Sequence, residues 1–175
     1  DILKKYKVKA TFFVIRPKSS KNIAILKRIA EEGHTIGMHC SEHTYKEIYA
    51  SEEAYFADLK KVQDTIYEHT GVISTIVRFP GGSSNTVSKF NPGIMTRLTK
   101  MLDAMGYRYF DWSVGSSDAG GVFTQEAVFQ NVIGGVQTVE VPVVLQHDIK
   151  LFSVKAVEDI IKWGKKMGYT FLPLA

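Results

Sequence analysis

The sequence predicts an α/β fold in which helices alternate with parallel strands, and three features of its 175 residues carry that prediction. Amphipathic helical stretches and short β-rich runs succeed one another in six helix-then-strand units. The runs are short and apolar, as strands are when crossover helices cover both faces of a sheet. Residues suited to chemistry directly follow strands in three separate places, the habit of a (β/α) barrel.

The elements follow in order. Ile2, Leu3 and Tyr6 form the apolar side of a short helix, and the β-rich run Ala10–Ile15 is closed by Arg16-Pro17. Asn22–Glu32 reads as helix and Thr35–Met38 as strand, then Glu52–His69 as helix and Ser74–Phe79 as strand. Helix Ile94–Met105 precedes strand Tyr107–Trp112, helix Gln125–Val136 precedes strand Pro142–Leu145, and helix Val154–Met167 precedes strand Tyr169–Leu172. Gly33, Gly71, Gly106 and Gly168 sit near helix ends, where a left-handed cap needs no Cβ. An open doubly wound sheet is the competing architecture. However, no Gly-x-Gly-x-x-Gly follows the first strand and no Walker-type loop occurs, so the arguments for a nucleotide-binding sheet are missing. Residues 80–92 form the longest loop, either a binding or lid element or a solvated connection.

A chain of 175 residues with 45% hydrophobic content can bury a sizeable core, and residues 1–175 read as one domain. Its net charge of +4 comes from basic residues scattered over helices, which argues for solvated faces rather than nucleic-acid binding; mild attraction to an anionic cell-wall polymer is also compatible. The single cysteine, Cys40, excludes an internal disulfide. No run of 18 apolar residues suggests a membrane span, and Asp1–Lys5 lacks the features of a signal peptide, so the chain reads as cut at its start.

His39 and His43 carry the strongest chemical signal. Four residues apart, they can aim two imidazole nitrogens at one point if the backbone makes a helical turn, and a metal ion is the usual reason to build such a point. Cys40 between them is a third soft ligand or, since adjacency to His39 makes joint ligation awkward, a packed side chain. His34 reads as structural, and His69 either as a favourable charge at a helix C-terminus or as simply exposed.

His147 follows the apolar run Val143–Leu145, which carries it to the end of a strand. An imidazolium there can protonate a leaving group at neutral pH; a third metal ligand or a helix cap are the alternatives. Asp118 could hydrogen-bond that imidazole and hold it charged, or simply cap a helix, with Asp111 and Asp148 as competitors. Arg78 could orient a carboxylate, polarise substrate or form a rim salt bridge. Gly81 and Gly82 let a backbone N–H approach an oxyanion closely, although Pro-Gly-Gly alone is only a turn.

Taken in order, His39-Cys40-Ser41-Glu42-His43, Arg78-Phe79-Pro80-Gly81-Gly82, Trp112–Asp118 and Leu145-Gln146-His147 resemble the motifs of the NodB-like polysaccharide deacetylases. Lys9–Val14 and Gly33–Gly37 resemble the same family's framework strands. The resemblance implies a deformed (β/α) barrel that removes acetyl groups from sugars such as N-acetylglucosamine in peptidoglycan or chitin-like polymers, and hence an extracellular or cell-wall setting. It implies a divalent metal, zinc with cobalt or nickel as alternatives, on His39 and His43. It also implies His147 as general acid tuned by Asp118, Arg78 as the family's arginine, an oxyanion-binding amide at Gly81 and an acetyl-methyl pocket at Leu145; one aromatic wall of the sugar groove is either missing or rebuilt from Trp112.

Departures accompany it. Cys40 replaces the usual hydroxyl residue, Ala119 stands where many relatives carry tryptophan, and Gly81 where an aromatic residue is common. The family's Thr-Phe-Asp-Asp-Gly strand, which carries a base aspartate and an anionic metal ligand, has no counterpart here, because no Asp-Asp pair occurs in the 175 residues. The fold is therefore expected without its first strand, and residues 1–175 alone are expected to be inactive. A non-hydrolysing carbohydrate-binding or interaction module is the competing reading.

Overall fold

The computed structural model describes all residues, Asp1–Ala175. Its elements are α1 (Ile2–Tyr6), β1 (Thr11–Ile15), α2 (Ser20–Glu31), β2 (Thr35–Cys40), α3 (Tyr45–Ile48), α4 (Glu52–Thr70), β3 (Ile76–Val77), α5 (Ile94–Ala104), β4 (Arg108–Tyr109), β5 (Val114–Gly115), α6 (Gln125–Val136), β6 (Val144–Leu145) and α7 (Leu151–Lys166). Every strand pair is parallel, in a sheet ordered β1-β2-β3-β4 and a second made of β5 and β6. The chain gathers into two compact units, one of Lys9–Asp111 with Pro173–Ala175, the other of Asp1–Val8 with Trp112–Leu172.

The first unit holds the four-stranded sheet. Its core is built from Met38 on β2, Val77 on β3, and Leu98 and Leu102 on α5, packed with the buried face of α4: Tyr55, Leu59, Val62 and Ile66. Those α4 residues recur at helical spacing, so one stripe is covered while Lys60, Lys61 and Asp64 face solvent. Ser51 caps the start of α4 by accepting from the Ala54 N–H, and Gly71 at φ 72° closes its end. Gly37 is required by packing. In the β1/β2 register it lies opposite Phe13, whose ring stands where a Gly37 Cβ would come within 2.5 Å.

In the second unit α6 and α7 cover the β5/β6 pair, and the core is Val114, Val128, Val132, Ala156 and Ile160. Gly135 lets α6 approach β5 so closely that a Cβ would meet Val114 Cγ1 at 2.6 Å. Lys5 and Tyr6 of α1 hydrogen-bond Glu158 of α7 at 2.7 Å each, fastening the short helix.

Several sequence expectations change. The runs at 74–79, 107–112 and 142–145 form only two-residue strands, and β5 and α3 were not anticipated. Tyr169–Leu172 forms no strand: the Tyr169 N–H bonds the Gly164 carbonyl at 2.8 Å, Tyr169 stacks on Trp163, and Phe171 occupies the notch over Gly164. These apolar residues are spent on α7 instead of a ladder.

Candidate active site

His39 owes its position to a β-bulge. Val14 pairs with Met38 but Ile15 pairs with Cys40, so His39 is an extra residue in β2 with no partner on β1. The bulge breaks the alternation of side chains. Donor atoms of the sequence neighbours His39 and Cys40, together with one of His43, therefore lie within 4.8 Å of one another. The helical turn expected between the histidines is absent: His39 is the penultimate residue of β2 and His43 lies in the irregular segment before α3. Their ring centroids are 5.3 Å apart, and His43 meets Tyr45 edge-on at 5.1 Å.

Two groups fix this turn. His39 Nδ1 lies 2.7 Å from the Arg78 carbonyl oxygen, which can only accept, so Nδ1 carries the proton and the lone pair is on Nε2. The buried Asp58 carboxylate on α4 accepts from the Ser41 N–H at 2.6 Å and the Glu42 N–H at 3.1 Å, holding the backbone between the histidines. Burial pushes the Cys40 thiol up to about 12, so it packs as a neutral side chain at pH 7.

Arg78, directly after β3, is buried. Its Nε donates to the Phe110 carbonyl at 2.9 Å and its Nη2 to the Asp111 carbonyl at 3.1 Å, while the guanidinium lies 4.3 Å from the Phe13 ring centroid. Burial lowers its pKa to about 10 against the opposing pull of Asp111, and it stays charged. After it, Phe79–Gly82 makes a type II turn with Gly81 at φ 80° and the Gly82 N–H bonded to the Phe79 carbonyl at 2.9 Å. That bond uses the Gly82 N–H, not the Gly81 N–H. Tyr49, fully buried, donates to the Pro80 carbonyl at 2.7 Å and anchors the turn from the end of α3. The loop beyond is tied down by its own bonds, among them Asn85 Nδ2 to the Gly82 carbonyl at 2.8 Å and Asn91 Nδ2 to the Tyr49 and Ala50 carbonyls at 3.1 and 3.0 Å.

In the second unit, β6 ends just before His147, whose Nδ1 meets Asp118 Oδ1 at 2.8 Å while its N–H donates to Oδ2 at 2.7 Å. The Asp118 side chain is 2% exposed and that of His147 is 40%, so a buried carboxylate grips one edge of a ring whose other edge is available. Burial alone would raise the Asp118 pKa, but bonds from Ser153, from the His147 side chain and N–H, and from Ser116 outweigh it and hold it below the usual range. The preceding residue, Ser117, is in the left-handed region at φ 61°. The two competitors stand elsewhere. Asp111 accepts from Ser83, through its N–H at 2.9 Å and its hydroxyl, and Asp148 is exposed. Leu145 is half-buried on β6, and the exposed Trp112 indole passes 3.7 Å from where a Gly115 Cβ would be. His34 is structural, accepting the Ala10 N–H on Nδ1 at 3.3 Å.

Asp58, Tyr49 and Ser153 were not singled out from the sequence. Asp58 does leave a trace, since it is an acid on the apolar stripe of α4. Tyr49 and Ser153 give no such signal: a tyrosine and a serine are unremarkable where they stand.

The donors around His39 suit a divalent ion of borderline softness. Two imidazoles converge, one with its tautomer fixed by a carbonyl in the manner of metal-bound histidines.

A parallel α/β scaffold with a histidine cluster after one strand and a carboxylate–histidine pair after another belongs to a recognised class. The family model for polysaccharide deacetylases matches residues 1–109, and the chain belongs to that family. It is similar to the catalytic domain of a peptidoglycan N-acetylglucosamine deacetylase from Eubacterium rectale, at 52% identity and a TM-score of 0.96 over all of this chain and 80% of that one. A polysaccharide deacetylase from Bacillus cereus superposes with a TM-score of 0.81 at 30% identity, over 99% of this chain and 82% of that one. A Bacillus cereus peptidoglycan-N-acetylglucosamine deacetylase is 32% identical over 98% of this chain, which spans 61% of that relative's length. The α/β fold with parallel sheets is thus that of deacetylase catalytic domains.

Proposed function

We propose that the protein is a metal-dependent hydrolase that removes acetyl groups from N-acetylglucosamine units of a cell-wall polysaccharide, with peptidoglycan as the first candidate. The observation that carries this reading is the His147–Asp118 pair, in which a buried anion orients an imidazole with an accessible edge. The relatives named above as peptidoglycan N-acetylglucosamine deacetylases support the substrate class. Such a substrate places the protein outside the cell membrane, and no helix here is long and apolar enough to cross one.

His39 and His43 would hold the divalent ion, zinc by their donor chemistry with cobalt or nickel as substitutes, and when bound it supplies Lewis acidity toward the acetyl carbonyl and acidifies water. The Arg78 carbonyl keeps the His39 Nε2 lone pair available, and the Arg78 guanidinium keeps that strand end in place. A water molecule forms the new C–O bond and gives up its protons to bulk solvent, and the Gly81 N–H is the donor for the oxyanion that develops as the carbonyl carbon becomes tetrahedral. His147, protonated on both nitrogens, passes the Nε2 proton to the amine as the C–N bond breaks. Neutral imidazole remains, acetate and the free amine depart, and Asp118 stabilises the charge in between. Leu145 and Trp112 contact the acetyl methyl and the sugar face.

Acetate release from N-acetylglucosamine oligomers by the full-length natural protein tests this. The wild type is expected to turn over and His147→Ala to lose roughly 100-fold or more in kcat. A wild type that binds the oligomers without releasing acetate would replace this reading with that of a carbohydrate-binding module.

A further inference from the structure

The Asp118 carboxylate receives a donor that the acid–histidine pair does not require. Ser153, in the first turn of α7 and fully buried, places Oγ 2.5 Å from Asp118 Oδ2. Gln146, the residue directly before His147, sets its Nε2 3.1 Å from the same Oγ and 3.2 Å from the Ser153 carbonyl. The carbonyl identifies that end of the Gln146 amide as the donor. The Ser153 hydroxyl therefore accepts from Gln146, and its one proton is committed to Asp118. Asp118 Oδ2 then holds both the Ser153 hydroxyl and the His147 N–H, which orients Oδ1 on His147 Nδ1.

We propose that Gln146 and Ser153 form a directional hydrogen-bond relay that locks the Asp118 carboxylate in place and so fixes His147 with a proton on Nδ1, making both positioning residues for the acid. The effect on turnover rests on the deacetylase reading, whereas the effect on the imidazole does not. Three elements converge on one carboxylate: Ser116 on the strand side, the 146–147 segment after β6, and α7. Loss of the Ser153 hydroxyl removes one of the side-chain donors that orient the carboxylate and loosens its hold on His147. A serine that served packing alone would affect stability and leave the tautomer unchanged.

The test uses the full-length protein labelled with ¹⁵N-histidine, with long-range ¹⁵N–¹H correlations at a pH where His147 is neutral, its signals assigned by their loss in His147→Ala. Wild type is expected as the Nδ1–H form. Ser153→Ala is expected to give a mixture of tautomers and a kcat lowered about tenfold, part of the roughly 100- to 10,000-fold a positioned acid contributes, with KM changed less than about twofold. Ser153→Thr, which keeps the hydroxyl, restores both. Gln146→Leu shifts both in the same direction by less, and it decides the matter if Ser153→Ala does not fold. A folded Ser153→Ala or Gln146→Leu protein that keeps wild-type tautomer and kcat overturns the relay. If wild type releases no acetate, the deacetylase reading fails while the tautomer comparison still decides the relay.

Discussion

Asp58 holds the backbone between two candidate metal ligands. Its two oxygens accept the Ser41 and Glu42 N–H groups, so Asp58→Asn turns one acceptor into a donor facing a backbone N–H. The variant is expected to lose about 1–3 kcal/mol of stability by urea unfolding, and zinc affinity measured by calorimetry is expected to fall about 10- to 100-fold. Asp118 yields a pH prediction. Its carboxyl titrates lower in the folded protein than in the unfolded chain, so the folded state binds fewer protons. The stability it contributes is complete above the ordinary aspartate pKa and is lost as pH falls through the lowered folded value. In thermal melts from pH 7 to pH 3, the advantage of wild type over Asp118→Asn should shrink toward the acid end. The histidines, Arg78, Gly81 and Asp118 were legible because their side-chain or backbone chemistry stands out beside apolar strands. Ser153 was not, because a buried serine gains meaning only from the carboxylate and amide that three-dimensional folding brings to it.

At the scale of elements, the bulge in β2 turns an ordinary strand end into a ligand site, and the neighbouring strand pairing depends on Gly37. Gly37→Ala forces its Cβ against the Phe13 ring, which also carries the Arg78 guanidinium. Overpacking of this kind costs about 1–3 kcal/mol. A lowered urea midpoint with an unchanged m-value is the expected result, together with loosened Arg78 contacts; an unchanged midpoint would mean that Phe13 can move aside freely. The long helices were readable from their apolar stripes and caps, as in α4 between Ser51 and Gly71. The two-residue strands were not bounded correctly, since an apolar run such as Pro142–Leu145 has no internal mark for where pairing stops. The bulge was hidden for a similar reason: it is a property of β1 and β2 together, and neither strand's sequence contains it.

At the scale of the molecule, the alternation of helix and parallel strand and the order of the motifs point to an α/β polysaccharide deacetylase. His39, His43, Arg78 and Gly81 lie in one unit, and Trp112, Asp118, Leu145 and His147 lie in the other. The proposed chemistry divides in the same way, carbonyl activation with the first set and leaving-group protonation with the second. The most direct test of this account is zinc titration of the chelator-stripped full-length protein, with acetate release from N-acetylglucosamine oligomers followed at each step. The account predicts that activity vanishes on stripping and returns with one zinc per chain, and that His39→Ala neither binds the ion tightly nor recovers. Full acetate release by the stripped protein, or recovery of His39→Ala at wild-type zinc concentrations, would contradict it.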